Sequence, residues 1–226
     1  MLLLALDTSA AASAAVVRDG RVLAHFASSD TRSHAEVLAP AIRGLLAHTH
    51  VAGPEFDAIV VGVGPGPFTG LRAGLATARM LAFVWDVPLH GMMSLDALAA
   101  EASAAPVHPG RPGEFVVATD ARRREVYWAR YSRPARPGGP PQLLEGPHVG
   151  SAQSVPGLPV YGRGAGLYPG DLDAVPAFAD SNPDARSLGL AAAEKLLSGQ
   201  ELLGSTPLYL RESDARVPGP RKRASA

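Results

Sequence analysis

A chain of 226 residues with 46% hydrophobic and 19% charged side chains is globular, too apolar for disorder and long enough for one large domain or two small ones. Its 21 basic and 21 acidic side chains cancel, which argues against a protein that grips nucleic acid by itself through a basic face. It has no cysteine, so disulfides, thiolate zinc sites and a cysteine nucleophile are excluded.

The first residues, 1–6, are apolar but lack a basic leader and meet Asp7 at once, which predicts a buried strand rather than a signal peptide. Residues 14–17 predict a second strand, Asp19-Gly20 a tight turn, and residues 22–27 the returning strand of a hairpin. Ser33-His-Ala-Glu36 reads as a capping box. The helix it opens carries Val37, Leu38, Ala41, Ile42, Leu45 and Leu46 on one apolar face, with a kink expected at Pro40. Residues 56–63 predict a buried strand running into a glycine-rich turn, followed by a long helix over 68–85. A short strand over 87–90 and a helix over 94–102 complete an α/β unit with a mixed sheet.

Three prolines and two glycines between positions 105 and 113 mark a boundary, giving lobes of residues 1–105 and 106–226. The second lobe predicts strands over 114–119, 125–131, 143–149 and 159–161, and a helix over 184–197. Both halves open with an apolar strand, an aspartate-containing turn and returning strands, a weak duplication in which Asp7 matches Asp120. A basic run, Arg221-Lys222-Arg223, follows Pro218 and Pro220 on a polar tail and reads as a solvated terminus in preference to an RNA contact. No apolar stretch is long enough to span a membrane, and a soluble, cytoplasmic protein is expected.

Gly62, Gly64, Gly66, Gly70 and Gly74 punctuate a strand–turn–helix unit, the setting of a phosphate loop. Neither the P-loop lysine nor the dinucleotide glycine spacing follows, however. The competing reading is packing: Leu71, Leu75, Ala78, Ala82 and Trp85 share one helical face, and Gly70, Gly74 and Thr77 form a bare strip beside it, turned towards an incoming helix. Asp7-Thr8-Ser9 and Asp120 stand where carboxylates could hold a magnesium-bound nucleotide, and equally where turn residues bond their own backbone. The seven histidines are scattered, with no zinc-protease spacing and no serine-hydrolase elbow.

Leu4-Ala-Leu-Asp-Thr-Ser9, Ser33-His-Ala-Glu36 and above all Gly64-Pro-Gly-Pro-Phe-Thr-Gly-Leu-Arg-Ala-Gly74 resemble the TsaB (YeaZ) family. Asp120-Ala-Arg122, Glu125-Val-Tyr127 and Pro207-Leu-Tyr-Leu-Arg211 continue the likeness along the chain. The resemblance implies an actin-like fold (sugar kinase/Hsp70-type, ribonuclease H-like) of two lobes with mixed sheets flanked by helices. It implies a subunit without catalysis or cofactor of its own, supporting the paralogue TsaD, with ATP and a metal on TsaD and a TsaE-like ATPase as a further partner. The reaction implied moves threonylcarbamoyl from its adenylate to the adenosine beside the anticodon of tRNAs reading codons that begin with A, with tRNA met only through the complex. The implied interface lies on the helices from Ser33 and Phe68, through Ser33, His34, Leu38, Ile42, Phe68, Gly70, Leu71, Gly74, Thr77 and Ala78, and would also serve a homodimer. The chain departs from the family pattern at Pro67, where serine is common, at Arg79-Met80, where lysine-glycine is common, and at Arg124, where glycine is common. An independent actin-like phosphotransferase or ATPase remains the alternative, and a metalloprotease lacks ligands.

Overall fold

A computed structural model describes residues 1–28, 34–105, 113–134 and 139–211. Ser33 with its capping box, and the basic tail at Arg221, Lys222 and Arg223, lie outside the described residues.

The strands are β1 (Leu2–Asp7), β2 (Ser13–Arg18), β3 (Arg21–Ala27), β4 (Ala58–Gly62), β5 (Leu89–Met92), β6 (Glu114–Asp120), β7 (Glu125–Ser132), β8 (Gln142–Ser151), β9 (Pro159–Tyr161) and β10 (Asp173–Ala174). The helices are α1 (His34–Thr49), α2 (Phe68–Trp85), α3 (Ser94–Ala104), α4 (Arg163–Leu167) and α5 (Ala185–Leu197). The first sheet has the order β3-β2-β1-β4-β5 and the second β8-β7-β6-β9-β10. In each, the first two strands pair antiparallel and the first and fourth pair parallel. The duplication suspected from Asp7 and Asp120 is therefore a repeat of wiring: each aspartate ends the central strand of its sheet. Two mixed sheets so wired, flanked by helices, form the actin-like, ribonuclease H-like arrangement.

Both faces of the first sheet are covered, which is why β1 reads as an unbroken apolar run. Leu2, Leu4 and Leu6 face one core together with Leu38 and Ile42 of α1 and Leu71 and Ala78 of α2. Leu3 and Ala5 face another, built with Leu188 and Ala192 of α5 and Ala97 of α3. β6 alternates likewise, with Phe115 and Val117 packing against Leu95 and Leu98 of α3 and Val116 and Ala118 against Trp128 and Leu172. α3 thus lies between the sheets. Its C-terminus is held by Arg133, whose Nη1 donates to the carbonyls of Ala102 and Ser103 at 2.9 Å while Nη2 donates to Tyr161 Oη at 2.7 Å. Lys195 of α5 and Tyr131 of β7 both bind Asp96 of α3, at 3.0 and 2.9 Å.

The boundary near residue 105 falls in the link between α3 and β6, yet two later segments return to the first lobe. α5 packs on β1 and β2. Beyond it a strap follows α2: Gly91 N–H donates to Leu203 O at 2.6 Å, Leu208 N–H to Val63 O at 2.8 Å, and the ring of Tyr209 lies 5.0 Å from that of Phe68. Arg211 then reaches Glu125 of the second lobe. α1 contains Pro40, which is exposed. α4 and β10, of five and two residues, are too short to leave a periodic signal in the sequence. Among the described residues no helix is long and apolar enough to cross a membrane.

Candidate interaction face and interlobe cleft

The glycine-rich turn after β4 is shaped by the chain's own β1 loop. A Cβ on Gly62 would collide with Asp7 Oδ2, one on Gly66 would sit 2.7 Å from Ser9 O, and one on Gly74 would collide with Thr8 Oγ1. Gly64, at φ 98°, needs the left-handed freedom of glycine. The glycines let the turn and α2 close over Asp7-Thr8-Ser9. This corrects the expectation that Gly74 lines an open groove for a partner helix: Thr8 already fills that groove. Gly70 is buried as well, and Thr77 is half-buried with Oγ1 donating to Ala73 O at 2.9 Å.

The interface expectation also fails at Leu38, Ile42, Leu71 and Ala78, which are 0–3% exposed and belong to the core beneath α1 and α2. Helical periodicity identified the core face of each helix and could not by itself identify a docking face. His34 is the first residue of α1. Of the expected set Phe68 is exposed, with the Arg72 guanidinium 3.6 Å above its ring and Tyr209 beside it. Arg72 Nε also donates to Tyr209 Oη at 3.4 Å.

The outer face of α2 carries residues that the sequence reading did not assign to an interface. Met80, Phe83 and Val84 are 57%, 86% and 68% exposed. At about 100° per residue Met80 stands about 180° from Leu71, so α2 is apolar on two opposite faces. That second stripe was the available signal. On α1, beside it, Pro40, Arg43 and Gly44 are exposed, and a Cβ on Gly44 would meet nothing within 4 Å.

Asp7 and Asp120 occupy equivalent turns with different surroundings. Asp7 is fully buried, its Oδ1 accepting from Ser9 N–H at 2.8 Å and Ser9 Oγ at 2.6 Å, while Oδ2 has no hydrogen-bond partner. Burial pushes its pKa up, offset in part by the Ser9 hydroxyl and the neighbouring Ser94 hydroxyl. Thr8 Oγ1 is buried without a partner too, against Gly74. Asp120 accepts from Arg122 N–H at 2.7 Å and pairs with Arg122 Nη1 at 2.9 Å. Asp120 lines a cleft of about 420 Å³ between the lobes, with Ser9, Pro67, Thr119, Arg122, Arg163 and Asn182. Asp7 does not: Ser9 closes it off. The two aspartates therefore do not converge on one cation-binding point, and among the described residues no three His, Cys, Asp or Glu side chains gather as a metal site.

A second basic run was missed in the sequence. Arg122, Arg123 and Arg124 form the tip between β6 and β7, all exposed, with φ of 60°, 54° and 61°. The triple arginine was itself visible, and its left-handed backbone was not, because arginine rarely adopts that conformation.

Set beside known proteins, residues 21–138 match the family model described as TsaD: tRNA N6-adenosine threonylcarbamoyltransferase. An uncharacterized Mycobacterium tuberculosis protein is 39% identical over 94% of this chain and 93% of its own length. The Escherichia coli tRNA threonylcarbamoyladenosine biosynthesis protein TsaB is 35% identical over 59% of this chain and 56% of that protein. The solved structure of YeaZ from Pseudomonas aeruginosa superposes with a TM-score of 0.77 at 32% identity, over 92% of this chain and 99% of that one. With its duplicated sheets, its glycine turn closed over a buried Asp7, and these likenesses along its length, the chain belongs to the TsaB (YeaZ) family.

Proposed function

We propose that this protein is a non-catalytic subunit of the assembly that makes threonylcarbamoyladenosine in tRNA. It docks the outer faces of α1 and α2 onto a TsaD-like paralogue. The observation that carries the reading is the second apolar face of α2: Phe83 stands 86% exposed between Met80 and Val84, on a helix whose opposite face already fills the core. An apolar patch of that kind on a packed helix marks an interface. Family membership supports the choice of partner, since the relatives carry the name of this modification.

In this reading the TsaD-like protein holds ATP and the metal and transfers threonylcarbamoyl from its adenylate to the adenosine next to the anticodon of tRNAs reading codons that begin with A. A TsaE-like ATPase joins the same assembly. The present chain supplies a rigid helical platform, and in the absence of its partner the same face pairs two copies of the chain. A phosphotransfer role of its own is disfavoured by Asp7, which faces Gly62 and Ser94 instead of the cleft.

The test is co-purification with the TsaD-like protein of the same cell, followed by a tRNA modification assay with and without this chain. Stable co-elution and modification that depends on the chain are expected. Full modification without it would refute the proposal.

A further inference from the structure

The loop joining β6 to β7 is closed by its backbone, Ala121 N–H donating to Glu125 O at 3.0 Å and Glu125 N–H to Arg122 O at 2.9 Å. Those bonds form with any residue type. The three positions between them are all left-handed, where glycine is at ease and a side chain is not. Arginine at every one of them concentrates charge at a place where the backbone alone would favour glycine. Across the adjoining cleft Arg163 is 45% exposed, and its Nη1 lies 3.4 Å from Asp180, a carboxylate 96% exposed to water. That pair is loosely held. On a chain of zero net charge the cluster gathers four arginines, with Arg122 paired to Asp120 and Arg163 to Asp180.

We propose that Arg122, Arg123 and Arg124, with Arg163 across the cleft, bind phosphate groups of an RNA backbone. The inference rests on the proposed function, in which an RNA is brought to the assembly. Guanidinium groups grip phosphate oxygens through paired N–H donors. A compact nucleotide polyphosphate suits the site poorly. The backbone amides that would wrap it, those of Ser9 and Arg122, are already donated to Asp7 and Asp120. Cations spread along an exposed hairpin tip match phosphates spaced along a strand.

The test is the double variant Arg123→Gly/Arg124→Gly, which removes two cations and places glycine where the backbone is left-handed. Binding of an unmodified tRNA transcript by the chain assembled with its TsaD-like partner is measured across a range of salt. Two lost contacts lower the slope of log K against log salt by about 1.4 and weaken binding at 0.15 M salt by about tenfold. The Arg123→Lys/Arg124→Lys variant keeps most of both. The thermal midpoint of the glycine variant stays within a few degrees of the parent. An unchanged slope and affinity would overturn the proposal. So would displacement of the transcript by magnesium–ATP together with lost ATP affinity in the glycine variant, which would assign the loop to a nucleotide. If the chain fails to assemble with the TsaD-like protein, the functional reading fails separately. The same titration is then run on the chain alone at low salt, where the glycine variant must still show the smaller slope.

Discussion

Replacing Phe83 by alanine tests whether the outer face of α2 is an interface. The side chain is 86% exposed in the free chain, so nearly all its apolar surface is available to a partner. Burying a phenylalanine fully contributes about 1.5–3 kcal/mol, and an aromatic at the centre of a docking face costs about 2 kcal/mol or more on truncation. A loss of about 2 kcal/mol is about a 30-fold rise in Kd. The fold itself should not notice, because the ring contributes little to the core and alanine is the better helix former by roughly 0.5 kcal/mol. Titration calorimetry against the TsaD-like protein gives the affinity, and thermal unfolding of the isolated variant gives the stability. Unchanged affinity would remove α2 from the interface. A monomer destabilised by more than about 1 kcal/mol would mean that Phe83 packs within the chain, and the reasoning from exposure would be wrong.

Four further outcomes follow from contacts described above. Gly74→Ala drives a methyl group into Thr8 Oγ1, and the isolated chain should lose about 1–3 kcal/mol on urea unfolding despite the better helix propensity of alanine. An undiminished midpoint would reopen the groove reading. Asp7→Asn keeps the acceptor for Ser9 and removes a carboxyl whose pKa is raised by burial. Since the folded form holds that proton more tightly than the unfolded form, the carboxyl's contribution is complete below its unfolded pKa and is lost as pH rises through its folded value. The variant should therefore gain on the parent as pH rises from acid to neutral, and parallel stability profiles would contradict the assignment. Arg133→Lys gives up the fork joining Ala102, Ser103 and Tyr161 and should cost about 2 kcal/mol in chemical unfolding, whereas a cost below about 0.5 kcal/mol would show that α3 is capped by other means. The purified chain should not turn over ATP, and sustained hydrolysis abolished by Asp7→Ala would favour the phosphotransferase reading.

Much of the architecture was legible because it rests on periodicity. β1 and β4 read as buried strands, since helices cover both faces of the first sheet, and the paired aspartates gave away the repeat of wiring. The candidate site was less legible for a specific reason. A helical wheel gives the angle at which Gly74 points and says nothing about what waits there, and Thr8 arrives from a loop more than sixty positions earlier in the chain. Phe83 and Val84, and Met80 as an apolar surface residue, escape a periodicity reading because one core face already accounts for α2. Arg122 and Arg124 stand in the sequence only as a match to and a departure from the family pattern, and nothing there shows that residues 122–124 share one exposed left-handed tip.

The return of α5 and the strap to the first lobe has a consequence for how the protein is made. Leu3, Ala5, Val17 and Val60 present an apolar surface whose cover includes Leu188 and Ala192 of α5. Between the emergence of Met92, which ends β5, and that of Ala185, which begins α5, a ribosome working at about 10 residues per second needs roughly nine seconds. During that interval the nascent first lobe has one face of its sheet incompletely covered, and Tyr209 has not yet settled beside Phe68 on α2. A messenger cut short before α5 would yield a sticky fragment instead of a smaller working lobe. α2 is thus braced last, once the chain has been made through Tyr209.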